Sequence, residues 1–204
     1  MEDSNGKRTQ QIKIHLLESA ALKQQIAGTC TDAVLAAAAI MAEAFRNDGK
    51  LLLCGNGGSA ADCQHLAAEF VNRLTAAVER PAMAAMALTT DTSFLTSFSN
   101  DYSYEKIFSR QVEAFGKAGD VLLGISTSGN SANVIMAMQT AQARNMHTIA
   151  LIGAGGRLAS LAHIVISIPS RNTQYIQESH LAIEHILCEL VEDDLFAQKS
   201  APGG

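Results

Sequence analysis

Short, almost wholly apolar runs alternate along this chain with longer stretches in which apolar residues recur every three or four positions. The runs at 50–54, 83–88, 121–125, 148–152 and 164–168 predict buried strands. Helical periodicity over 11–27, 31–47, 59–73, 92–98, 104–115, 132–144 and 157–161 fills the intervals, and a long final helix is expected over 174–196. Thr31 or Asp32 suits the N-cap of the second helix, and Gly49 suits its stop. Strands that are apolar on both faces and alternate with helices imply an α/β chain, with a parallel sheet covered on both sides.

No Pro- or Gly-rich linker divides the sequence, which holds only three prolines, so residues 1–198 read as a single domain. Residues 199–204 are small and polar enough for a disordered tail. One layout occurs twice. An apolar strand followed by Gly-Asn-Gly-Gly-Ser at 51–59 is echoed at 121–131, where the strand is followed by Ser-Thr-Ser-Gly-Asn-Ser.

Composition narrows the function classes. A chain of 204 residues can bury a core without disulfides or a structural metal. Fifteen basic against twenty acidic residues give a net charge of -5, which leaves no global basic field to grip nucleic acid or an anionic membrane. The longest strongly apolar stretch, 33–42, is mostly alanine and falls short of the roughly 20 residues that a bilayer span takes. Residues 1–12 are polar and lack the apolar core of a secretory signal, so a cytoplasmic protein is expected. Cys30, Cys54, Cys63 and Cys188 form no Cys-x-x-Cys pair and read as buried apolar side chains.

The two loops carry the first chemical signal. At the carboxyl end of a parallel strand, Gly, Ser, Thr and Asn let backbone amides approach an anion while the following helix offers its positive end. Ser126, Thr127, Ser128 and Ser131 add hydroxyl donors without adding charge, which suits a phosphate bound by an acidic protein. The competing reading is that Ser59 and Ser131 simply cap helices. Gly55-x-Gly57-x-x-Ala60 approaches a dinucleotide fingerprint, but no acidic residue closes a following strand. Neither loop has the Gly-Lys-Ser/Thr of a nucleoside triphosphate site. Arg73 and the pair Asn100 and Asp101 are further candidates for ligand contact, although Asn-Asp is also ordinary turn chemistry.

Proton chemistry is the second signal. His65 and Glu69 are four apart and share one helix face just beyond the first loop. Gln177 and His185, eight apart on the final helix, share a broad face, with Glu178, His180 and Glu184 nearby. Two imidazoles, a carboxylate and an amide oxygen suit a divalent ion, most naturally zinc. A carboxylate with an imidazole also suits proton transfer between neighbouring carbons and oxygens of a carbonyl sugar. His65-x-x-x-Glu69 lacks the second histidine of a zinc-protease helix.

Taken together, 54–59, His65-x-x-x-Glu69 with Arg73, Asn100-Asp101, the run 119–131, and Ile176-Gln177-Glu178 with His185 resemble the phosphoheptose isomerase family of sugar isomerase (SIS) domain proteins. The resemblance spans about residues 31–192. It implies a three-layer α/β/α sandwich with a five-stranded parallel sheet, flavodoxin-like, with N-terminal helices added. It also implies a homotetramer with sites at subunit interfaces. The implied reaction converts D-sedoheptulose 7-phosphate to D-glycero-D-manno-heptose 7-phosphate through an enediol, towards the heptose of lipopolysaccharide. Matching positions imply substrate contacts at Asn56, Gly57, Gly58, Ser59, Glu69, Arg73, Asn100, Asp101, Ser126, Thr127, Ser128, Ser131 and Gln177. They imply one zinc per subunit on His65, Glu69, Gln177 and His185, and Glu69 with His185 as the acid/base pair. Tyr175 departs from the arginine common at that place.

The rival within the same family resemblance is a non-catalytic SIS adaptor that binds the replication initiator. Such adaptors lack the carboxylate that Glu69 supplies here. A sugar-sensing regulator would bring a DNA-binding segment, and no basic segment of that kind is present.

Overall fold

The computed structural model describes residues 2–76 and 78–196; the tail expected at 199–204 lies outside the described residues. Two helices open the chain, α1 at Glu2–Thr29 and α2 at Thr31–Arg46. The core then alternates β1 (Leu51–Gly55), α3 (Gly58–Val71), β2 (Ala85–Ala87), α4 (Thr92–Asp101), α5 (Ile107–Phe115), β3 (Val121–Ser126), α6 (Ala132–Ala143), β4 (His147–Ile152), β5 (Ile164–Ser167) and α7 (Thr173–Phe196). Short 3-10 turns sit at Tyr104–Lys106 and Arg157–Ser160.

All five strands are parallel, in the order β2-β1-β3-β4-β5. Leu51 pairs with Ala85 on one side and Val121 on the other, and Val121 pairs with His147. Because side chains alternate across a strand, each strand feeds two cores. Leu51, Leu53, Val121, Leu123, Ile125, Ile149 and Leu151 pack with α1, α2, α3 and α7. Leu52, Cys54, Leu122, Ala150 and Ile152 face α5 and α6. This is the expected three-layer α/β/α sandwich. Burial on both faces explains why the strands read as continuous apolar runs.

Four local expectations change. The first helix begins at Glu2 rather than near 11. The N-cap of α2 is Cys30, with no side-chain cap bond, while the Thr31 hydroxyl donates back to the Ala27 carbonyl at 2.9 Å. The chain instead breaks at Cys30, where α1 and α2 meet at 71° and the Cys30 thiol donates to the Ser167 carbonyl. The stretch 104–115 divides because Ser103 Oγ accepts from the Glu105 amide and closes a 3-10 turn before α5. The second predicted strand shortens to three residues, as suits the sheet edge it forms.

All four cysteines are buried and free. Among the described residues no single helix is long and apolar enough to cross a membrane.

Candidate active site

The strand order reverses between β1 and β3, so their carboxyl ends flank the crevice where open α/β sheets bind ligands. Both expected loops arrive there. After β1 the backbone turns at Gly57, whose φ of +56° is left-handed and suits glycine, and α3 begins at Gly58. After β3 the loop runs through Thr127 and Ser128 to Ser131, the N-cap of α6.

Neither α3 nor α6 is capped by its N-cap side chain, so amide donors in both first turns stay available to an anion, apart from the Val134 amide of α6, which donates to Asn133 Oδ1. The capping alternative for Ser131 therefore does not hold. Its hydroxyl turns to Ser126 Oγ at 2.9 Å, and Ser126 Oγ also lies 3.4 Å from Ser128 Oγ. Ser59 is buried in the first turn of α3, whose N-cap is Gly57. A cleft of about 350 Å³ beside Thr127 and Ser128 is also bordered by Asn130 and Arg171.

Two residues not singled out in the sequence join the loops. Asn56 Nδ2 donates to Asn133 Oδ1 at 2.9 Å, and Asn133 Nδ2 donates back to Asn56 Oδ1 at 2.8 Å. The Tyr104 hydroxyl donates to the same Asn56 oxygen at 2.8 Å. Asn133 is buried, so its amide is committed to this link, with its oxygen also accepting from the Val134 amide. The pairing fixes the spacing of the two loops without adding charge.

The proton-transfer candidates meet along the seam of α3 and α7. His65 Nε2 and His185 Nε2 lie 2.8 Å apart, with ring centroids at 5.1 Å. Glu69 Oε1 is 3.7 Å from His65 Nε2, as the i,i+4 spacing requires. Gln177 packs its amide against Gly58, where a Cβ would collide with it. Gln177 and His185 therefore both face α3, as their shared face implies.

The other polar residues of α7 point elsewhere. Glu178 bonds to His15 at 2.7 Å and to the Ser19 hydroxyl of α1. His180 and Glu184 point into the core, and among the described residues their side-chain polar atoms have no hydrogen-bond partner. Burial holds the His180 imidazole down at about 4. Burial, with some help from Asp62, pushes the Glu184 carboxyl up to about 8. Tyr175 donates its hydroxyl to Glu18 Oε2 at 2.8 Å and meets the His15 ring edge-on, which makes it part of the docking of α1.

Arg73 is not brought to the loops within this chain. It lies past the end of α3, roughly 20 Å along the helix from Gly58, and pairs with exposed Glu79 at 2.8 Å. Asn100 and Asp101 end α4 and bond to each other at 2.9 Å, shortly before the turn that carries Tyr104.

The donor set at the seam suits zinc chemically, since two imidazole nitrogens and a carboxylate oxygen converge. The two rings sit in direct nitrogen-to-nitrogen contact, and among the described residues no group of three or more His, Cys, Asp or Glu is set closely enough to hold a metal as it stands.

Comparison with known proteins agrees with this geometry. The SIS domain family model matches residues 16–153. A phosphoheptose isomerase of Roseiflexus sp. is 51% identical over 178 residues, which is 87% of this chain and 89% of the relative. The solved phosphoheptose isomerase of Neisseria gonorrhoeae superposes with a TM-score of 0.85 at 44% identity, covering 91% of this chain and 98% of that one. That of Francisella tularensis gives 0.86 at 36%, covering 90% and 97%. The chain belongs to the SIS domain family, within its phosphoheptose isomerase branch.

Proposed function

We propose that this chain is an aldose-ketose isomerase that converts D-sedoheptulose 7-phosphate to D-glycero-D-manno-heptose 7-phosphate. The single observation that carries the reading is the meeting of His65, Glu69 and His185 at one seam of a fold whose neighbouring loop is a hydroxyl nest. The nest and the first turn of α6 take the phosphate. At the carbonyl end, Glu69 takes a proton from C1 to give the enediol and returns it to C2. His185 gives a proton to the oxygen on C2 and takes one from the hydroxyl on C1, so charge balances over the cycle.

His65, Glu69, Gln177 and His185 are the residues that would hold zinc. Bound there, the ion supplies Lewis-acid polarisation of a sugar oxygen. A carboxylate whose lone pair is committed to a metal is a poor base, so Glu69 acts on the sugar when it is free of the ion. The adaptor alternative finds no support, since the relatives are named isomerases and Glu69 is in place.

The proposal extends to a cytoplasmic homotetramer serving lipopolysaccharide heptose synthesis. Support for a second copy comes from exposed Ile12 and Leu16, one turn apart on α1, and from an apolar groove of about 440 Å³ between α1, α2 and α7. Light scattering of the purified chain tests the assembly.

Incubation with sedoheptulose 7-phosphate, with and without a chelator, tests the reaction. An aldose product is expected, and its absence under both conditions would remove the reading.

A further inference from the structure

The last carbonyls of an α-helix have no partner within the helix and attract cations. In α3 these carbonyls belong to the turn that carries Glu69. Arg80, in the connection from α3 to β2, reaches them from the protein interior. Its Nη2 donates to the Glu69 carbonyl at 2.7 Å and its Nη1 to the Phe70 carbonyl at 2.8 Å. Nε of the same guanidinium donates to Glu192 Oε1 at 2.7 Å, and that oxygen also accepts from the Leu74 amide at 3.3 Å.

Both side chains are buried, at 0% and 5% exposure, where an ion pair is expensive to place and apolar residues would fill the volume as well. What apolar residues cannot do is hold carbonyl groups in place. Glu192 lies on α7 seven residues beyond His185, two turns along the same helix. The pair thus links the backbone of Glu69 directly to the helix of His185.

We propose that Arg80 and Glu192 are positioning residues that set the separation of Glu69 from His185. This rests on the isomerase reading above. The guanidinium fork fixes the final turn of α3, and the carboxylate ties that turn to α7, so the base and the imidazole stay in register across the seam. Neither residue touches the sugar. Their loss is therefore expected to lower kcat and leave KM alone, because misplacement by about 1 Å can cost up to about 100-fold in rate.

The test compares wild type, Arg80→Lys, the double variant Arg80→Met with Glu192→Met, and Glu69→Gln. Steady-state kinetics with sedoheptulose 7-phosphate are read beside circular dichroism and amide hydrogen exchange over 69–74. The double variant strands no buried charge and should fold. Its expected result is a kcat at least about tenfold lower with KM within about twofold, and faster exchange at the end of α3. Arg80→Lys keeps the charge but loses the fork, and should show the same split more mildly. If the double variant does not fold, Arg80→Lys decides. Wild-type kcat in the folded pair variants, with Glu69→Gln inactive, overturns the positioning role alone. Wild-type kcat in Glu69→Gln overturns the catalytic reading, and the positioning role with it.

Discussion

His65 and His185 face each other nitrogen to nitrogen at 2.8 Å, although 120 residues separate them in sequence. The contact closes the seam between α3 and α7 at the level of Glu69. Substitutions here should act on chemistry rather than on folding, because His65 and Glu69 keep 41% and 19% of their side-chain surface exposed. Glu69→Gln and His185→Ala are each expected to lower kcat by at least about 100-fold, the range for loss of an acid/base group. Circular dichroism should show no change. Near wild-type turnover in both variants would remove the assigned roles.

Gly58 offers a sharper separation of stability from function. Its backbone is outside the left-handed region, so alanine is tolerated there, but the new Cβ displaces the flexible end of Gln177. Gly58→Ala should leave the Tm unchanged or slightly raised, since the unfolded chain loses freedom. The expected cost is a fall of about tenfold or more in kcat/KM, the scale of a lost polar contact of about 1.4 kcal/mol or more. A thermal melt and an activity assay on one preparation check both halves.

The Asn56–Asn133 link should be sensitive to truncation on its buried side. Asn133→Ala leaves the Asn56 amide short of its partner and is expected to cost about 1–3 kcal/mol of stability, with a raised KM. Tyr104→Phe removes one of the two donors to the Asn56 oxygen and should cost about 0.5–1.5 kcal/mol. Urea unfolding and substrate titration measure the two effects. Equal losses in both variants would contradict the ranking.

How much of this could be read beforehand depends on the range of the interaction. The strands were legible because each buried run satisfies its own period, and His65 with Glu69 because helical spacing alone brings them together. Asn133 and Tyr104 were not, since their partner Asn56 is 77 and 48 residues away and no periodicity encodes such a pair. A signal did exist for His180 and Glu184. They keep phase with Ile176, Ile183 and Leu187 on the buried stripe of α7, so helical phase placed them in the core rather than beside the ligand. The family pattern alone assigns Arg73 to the site, and within this chain it pairs with Glu79.

Those two core residues give stability a worked pH dependence. The folded His180 resists protonation down to about 4, whereas the unfolded imidazole gains a proton near 6.5, so its contribution is lost as pH falls from about 6.5 to 4. Glu184 acts in the opposite sense. Its folded carboxyl stays neutral up to about 8 while the unfolded one ionises near 4.5, so its contribution is lost as pH rises from 4.5 to 8. The two slopes oppose each other below about 6.5, and above that Glu184 acts alone. Urea midpoints should fall between pH 6.5 and 8 in wild type and flatten in Glu184→Gln. A flat wild-type profile over that window would contradict the buried, neutral carboxyl.

The serine hydroxyls of the second loop are already bonded to one another at 2.9 and 3.4 Å, an arrangement formed ahead of any guest. In the proposed reaction their target is the phosphate, which lies away from C1 and C2, the carbons at which ketose and aldose differ. Ketose and aldose therefore present an identical handle, and the grip on it is blind to the direction of travel. Forward and reverse turnover should share similar half-saturation concentrations, leaving the open-chain ends of the two sugars to decide which accumulates.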